Sequence, residues 1–244
     1  MVSAKMGSGI EDYYRNTYSK IHYRGILGLF TTGYHKKLES SKYVSSLSQP
    51  RVLEVGAGSG EHLDFVANTF SEYTLTDLEI REPILDLLQR ERSKLDNRLN
   101  FKKANVENLP FRDESFDRVI STCLLHHLNS VEGALTEIRR VTRNGGLVSI
   151  YLPCDPGFFY RIIRHVFSHI KMSRLPGMNI KKVKYLWAEE HKNHFLGILV
   201  LIKNVFSKDK IHIKRYPFPF FSWNFNLFLV IQIEIHKQST NSIH

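Results

Sequence analysis

The sequence predicts an α/β fold organised around a nucleotide-binding strand–loop–helix unit, and three stretches carry that prediction. Val52-Leu53-Glu54-Val55 reads as a short buried strand. It runs into Gly56-Ala57-Gly58-Ser59-Gly60, where alternate glycines permit positive φ and let a ligand approach the backbone. Tyr73-Thr74-Leu75-Thr76-Asp77 reads as a second strand ending in an acid about 20 residues after the first glycine, the place from which a carboxylate reaches a ribose diol in a doubly wound sheet.

The other elements follow in order. Ile10 to Leu38 is aromatic, with Tyr13, Tyr14, Tyr18, Tyr23, Phe30 and Tyr34, and Gly25, Gly28 and Gly33 are expected to break it into one or two short lid helices. The apolar stretch His62 to Phe70 is expected to form the helix after the glycine loop. A fourth strand is expected over Phe116 to Cys123, opening onto Ser121, Thr122 and the His126-His127 pair. Glu132 to Val141 reads as an amphipathic helix with Arg139, Arg140 and Arg143 at its negative end. Asn144-Gly145-Gly146 is expected to turn into a fifth strand, Leu147 to Leu152. An insertion from Asp155 to Phe206 opens on the sharp turn Pro153-Cys154-Asp155-Pro156-Gly157, and Ile211 to Arg215 and Asn226 to Ile235 read as late strands.

The glycine loop discriminates between cofactors. A dinucleotide fingerprint requires a small third residue where Glu61 stands. The chain instead reads E-x-G-x-G-x-G from Glu54, followed by Asn105-Val106-Glu107-Asn108-Leu109-Pro110-Phe111 and Ser115-Phe116-Asp117-Arg118-Val119. This series resembles the class I S-adenosylmethionine (SAM) methyltransferases. The resemblance implies a Rossmann-like, seven-stranded, mostly parallel sheet with helices on both faces. Its last strand would lie antiparallel between strands five and six, with an N-terminal helical lid and an insertion between strands 5 and 6. It implies a single domain divided as lid 1–48, SAM-binding core 49–152, substrate-side insertion 153–206 and C-terminal strands 207–244.

The same resemblance implies SAM as methyl donor, held by Glu54, Gly56, Ala57, Gly58, Gly60, Asp77, Leu78, Asn105, Val106 and Ser121. Asn105 takes the place of an adenine-facing acid; its carbonyl can still accept from the adenine amino group, but the charge is lost. The Asp-Pro-Gly turn and the Glu190-His191-x-x-His194 segment are similar to a bacterial branch linked to surface-polysaccharide synthesis, which implies a glycan-like acceptor. His191, His194 and Glu190 are the candidate catalytic groups, with His126 and His127 as rivals. A metal-binding H-E-x-x-H helix spaces its histidines by four with Glu between them. Here the spacing is three and Glu precedes both, so no metal is expected.

Charge divides the chain. The whole carries +10, yet residues 51–150 hold 13 Lys/Arg against 16 Asp/Glu, while residues 151–244 hold 14 against 5. A basic acceptor side suits an anionic small molecule or glycan, with nucleic acid a minority reading because no nucleic-acid motif accompanies it. Two cysteines, Cys123 and Cys154, do not make a disulfide framework, and without a signal pattern or membrane-length apolar run a cytoplasmic location is expected. Two other readings stay open: a SAM-binding scaffold or sensor without turnover, and an RNA methyltransferase.

Overall fold

The computed structural model describes residues 25–66, 70–79, 86, 98–174 and 178–237. Its framework is a seven-stranded sheet of β1 (Arg51–Val55), β2 (Glu72–Asp77), β3 (Leu99–Lys103), β4 (Phe116–Thr122), β5 (Thr142–Pro153), β6 (Lys210–Tyr216) and β7 (Phe228–Glu234), in the order β3-β2-β1-β4-β5-β7-β6. The first five strands run parallel; β7 pairs antiparallel with both β5 and β6, as expected. Val52 to Val55 and Tyr73 to Thr76 are buried throughout, because a parallel sheet is covered on both faces. The register sets Val55 level with Thr76 and Ser121, and Ser121 level with Ile150. The carboxyl ends of β1, β2, β4, β5 and β6 therefore lie along one edge, where open α/β sheets bind ligands.

Two apolar clusters fill the faces. On one, α3 (Val131–Val141) and α7 (Phe195–Val205) pack Leu135, Ile138, Ile198 and Ile202 against Val119, Val148 and Ile231. Ser130 caps α3 by accepting from the Gly133 N–H. On the other lies α1 (Gly25–Glu39), where Tyr34 stacks on Tyr151 at 3.8 Å between ring centroids. A short helix, α2 (Lys42–Ser45), joins it to β1. The insertion after β5 comprises α4 (Phe158–Ile163), a π-helical turn (Arg164–His169), α5 (Ile170–Ser173), α6 (Ile180–Glu190) and α7.

Three local expectations are corrected. Helix α1, described from Gly25, continues through Gly28 and Gly33, because it is held by the sheet beneath it rather than by its own propensity. The expected lid residues 1–24 lie outside the described residues. After the glycine loop only a 3-10 turn, Glu61–Phe65, is described. Asn144-Gly145-Gly146 lies within β5 as an irregularity: Phe116 pairs with Thr142 but Arg118 with Leu147.

Helix α1 is fixed by a buried polar network. Arg118, 2 % exposed in the middle of β4, donates to both oxygens of Glu39 at 2.6 and 3.0 Å and through Nε to Ser149 Oγ at 3.1 Å. Ser149 donates to Gln232 Oε1, and the Gln232 amide donates to Leu38 O. His62 Nε2 lies 3.0 Å from Glu39 Oε1, and its Nδ1 lies 2.7 Å from that of His35, so one of these two nitrogens donates and the other accepts. Burial, reinforced by the neighbouring His62, pushes the His35 imidazole down to about 2. Burial opposes ionisation of Glu39, but Arg118 and His62 overcome it and hold its carboxyl at about 2. Next to them Glu54 is sealed; Tyr73 donates to it at 2.7 Å, yet burial still pushes it up to about 7.

Removing one partner of a buried ion pair strands the other's charge, so Glu39→Gln is expected to cost about 3–5 kcal/mol in denaturant unfolding. The apolar pair Glu39→Leu/Arg118→Met is expected to be more stable than either single variant; additive losses would show that the pair does not act as a unit. The pH dependence has worked signs. From 6.5 downward the unfolded chain takes up a proton at His35 that the folded chain refuses, which lowers stability. From about 7 to 4.5 the folded chain takes one up first at Glu54, which raises it. Below 4.5 Glu39 adds a second loss. The stability advantage of Glu54→Gln over wild type is thus expected to shrink as pH falls from 7 to 4.5, read from denaturation midpoints; an advantage independent of pH would contradict it.

Candidate functional site

The glycine loop is built by backbone geometry. Gly56, Gly58 and Gly60 take φ of 65°, 59° and 76°, the left-handed region that side chains disfavour. Ala57 N–H donates to Thr76 O and Gly58 N–H to Asp77 Oδ2, each at 2.9 Å, so the end of β1 is stapled to the end of β2. A side chain at Gly56 would meet Leu124 Cδ1 at 2.6 Å, whereas the nearest atom over Gly58 is Glu61 Oε2 at 4.0 Å. The loop after β4 thus closes over Gly56, and the volume over Gly58 stays open.

Around this loop the sequence-derived residues fall into three kinds. Asp77 stands at the edge, its oxygens accepting from the Gly58 and Glu79 N–H groups, and Leu78 beside it is 58 % exposed. Ala104 N–H donates to Asp77 O, which brings Asn105 and Val106 alongside; Val106 is buried and Asn105 exposed. The Asn105 side-chain oxygen accepts from Glu107 N–H at 3.0 Å, so it serves its own turn. Ser121 Oγ is buried without a hydrogen-bond partner. Glu54, by contrast, faces α1 at 1 % exposure and its carboxyl is engaged by Tyr73.

A second group assembles where the loop after β4 meets the insertion. Lys192 and Asn193 N–H both donate to His126 O, at 2.9 and 3.2 Å, and the Asn193 amide donates to Leu128 O at 2.7 Å. These bonds bring His191 against His126 and His127, with ring centroids 4.5 and 5.1 Å away. One nitrogen from each of the three lies within 4.8 Å of the others. His127 Nδ1 lies 3.1 Å from Glu190 O, and His191 Nδ1 lies 3.0 Å from Asp155 Oδ2. Arg164 Nη1 donates to the same Asp155 oxygen and its guanidinium lies over Trp187, whose ring in turn packs against His191.

Burial disfavours the Asp155 carboxylate, but the His191 hydrogen bond and the Arg164 charge outweigh it and hold the carboxyl below its ordinary range. Burial pushes His126 well below the ordinary histidine range, and its Nδ1 has no hydrogen-bond partner. Of the expected catalytic trio, His191 is therefore in the cluster. Glu190 meets it through its backbone carbonyl, and His194 is exposed at the start of α7. Asp155 was not among the expected catalytic residues; its position in the Asp-Pro-Gly turn at the end of β5 was the available signal. Cys123 and Cys154 are free, and burial pushes both thiols up to about 12.

Comparison with known proteins bears on the central segment and on the fold. Residues 53–150 match the family model described as a methyltransferase domain. The chain is 38% identical over 100 residues to phthiotriol/phenolphthiotriol dimycocerosates methyltransferase 1 of Mycobacterium ulcerans, covering 41% of this chain and 36% of that protein. It is 34% identical over 96 residues to a fatty-acid O-methyltransferase of Mycolicibacterium smegmatis, covering 39% and 34%. The chain thus spans about a third of the length of these curated relatives. In structure it is similar to magnesium protoporphyrin IX methyltransferase from Synechocystis PCC 6803, solved with bound S-adenosylhomocysteine (TM-score 0.61, 12% identity, 93% of this chain and 98% of that one), a likeness of fold. Residues 53–150 thus match a methyltransferase domain, and the sheet that carries them has the fold of a solved methyltransferase.

Proposed function

We propose that the chain is an enzyme that moves a methyl group from SAM to an oxygen of a small, apolar-bodied acceptor bearing an acidic group. The observation that carries the reading is the juxtaposition, along one sheet edge, of the glycine loop stapled to Asp77 and the Asp155–His191 pair. The donor side suits SAM: space is open over Gly58, the Asp77 oxygens keep lone pairs for a ribose diol, and the orphaned Ser121 Oγ awaits a partner. Glu54 does not suit direct contact, being sealed beneath the loop.

SAM brings a methyl on a cationic sulfur, already an activated leaving group; the protein's task is alignment, exclusion of water and removal of a proton. Asp155, held ionised, fixes the proton of His191 on Nδ1 and leaves Nε2 as the lone-pair nitrogen. Nε2 takes the acceptor's proton as the oxygen–methyl bond forms and the sulfur–methyl bond breaks, and Asp155 stabilises the resulting imidazolium. The names of the two curated relatives point to lipid acceptors, and the exposed aromatic side chains at this edge favour an apolar acceptor over a glycan-like one. The non-catalytic reading is weaker because it leaves the Asp155–His191 pair without a task.

Two results test this. Calorimetric titration is expected to give one-to-one binding of SAM and S-adenosylhomocysteine, weakened about 10- to 100-fold by Asp77→Ala or Gly58→Val with the fold retained. Wild-type affinity in both variants would remove the site assignment. In an acceptor screen with methyl-labelled SAM, His191→Ala is expected to lower kcat about 100-fold while SAM affinity is unchanged, and chelators are expected to leave the rate alone. Loss of activity on chelation with recovery on adding zinc would replace the base with a metal at His126, His127 and His191.

A further inference from the structure

The exposed apolar side chains at this sheet edge extend well beyond the Asp155–His191 pair. Phe158, Ile162 and Val166, at successive fourth positions along α4 and the π-helical turn, are 62, 45 and 46 % exposed. A helical stripe of this kind ordinarily faces a core. The segment following β6 continues it: Phe218, Phe220, Phe221 and Phe225 are 45, 97, 58 and 50 % exposed. The two pieces meet, Phe159 lying 6.3 Å from Phe218 between ring centroids, Phe218 5.8 Å from Phe221, and Phe221 6.0 Å from Phe225. A contiguous exposed apolar face of this kind marks an interaction site.

Its charge identifies the partner. Residues 156–188 contain seven Lys/Arg and no Asp or Glu, and residues 210–233 contain three Lys/Arg and likewise no acid. Arg161 is exposed within the α4 stripe, and Arg215 reaches the base of the aromatic segment by donating to Pro219 O. Arg164 is paired with Asp155 and Lys210 with Glu234, yet the remaining cations leave the surround net positive, and apolar rings that project beyond it complement a layer with an anionic face and an apolar interior. A nucleic acid would meet the cations and could stack a base on a ring, but it offers no apolar partner to Ile162 and Val166 on the same face.

We propose that α4, the π-helical turn and the segment 217–225 form a docking surface for an anionic lipid bilayer, with Phe220 and Phe221 inserted. The docked face borders the Asp155–His191 pair, because Gly157, two residues after Asp155 and just before α4, packs close to the 217–225 segment: a side chain there would meet Cys154 O at 2.6 Å and Trp223 O at 3.3 Å. If the function proposed above holds, the acceptor enters from the lipid phase; the docking itself does not depend on that reading.

The test is co-sedimentation of the full chain with phosphatidylcholine vesicles, with and without about one-third phosphatidylglycerol. Binding is expected only with the anionic lipid and is expected to fall with added salt. Phe220→Ser/Phe221→Ser and, separately, Arg161→Gln/Arg215→Gln are each expected to weaken it about tenfold or more, with unchanged thermal unfolding and SAM affinity. Failure to bind either vesicle, equal binding to both, or indifference to the variants would overturn the proposal. So would a dimer in solution that Phe220→Ser/Phe221→Ser converts to monomer without any vesicle binding. SAM titration on the same samples reads the methyltransferase assignment separately.

Discussion

A single buried ion pair positions everything on the α1 side of the sheet. Arg118 occupies a position in β4 where the strands on either side are apolar, and a guanidinium there is tolerable only if its donors are satisfied. Glu39 from α1, Ser149 from β5 and, through Ser149, Gln232 from β7 satisfy it. The pairing therefore specifies where α1 sits, which turn of it faces β4 and which residues face His62. Since His62 lies in the 3-10 turn immediately after the glycine loop, the network reaches the glycine-loop side of the edge through side chains alone.

The parts legible in the sequence are those set by local pattern. The strand–glycine–strand series ending at Asp77 could be read because glycine spacing and strand composition are properties of consecutive residues, whereas the order of the later strands followed only from the resemblance. Helix α1 was misread at its glycines because its continuity comes from contacts with β5 and β7, distant in sequence. Arg118 could be seen only as part of a family-like run, with nothing local to mark it as the centre of a buried network. The Asp155–His191 contact joins residues 36 positions apart, and no periodicity reports it. The sequence leaves the Asn105 side-chain oxygen undecided, and in the structure an Asx turn takes it up.

The edge itself divides labour by the kind of atom used. Its glycine-loop half is mostly backbone: positive-φ glycines and N–H groups bonded to Asp77 and Thr76. Its insertion half is mostly side chain: three imidazoles, a carboxylate, a guanidinium and an indole in mutual contact. Backbone recognition is insensitive to neighbouring substitutions, whereas a packed side-chain cluster changes with each of them.

The carbonyl of His126 has a consequence for how such a chain can diversify. It accepts from two successive N–H groups of the insertion, and the Asn193 amide adds a third tie to the same loop. The junction is thus made largely of main-chain atoms that any sequence supplies, with Asn193 as its principal side-chain requirement. Helices α4 to α6 hang between this junction and the Asp155 turn like a cartridge between two clips. A different set of helices could be clipped into the same two places while the glycine loop and its staple to Asp77 stay intact.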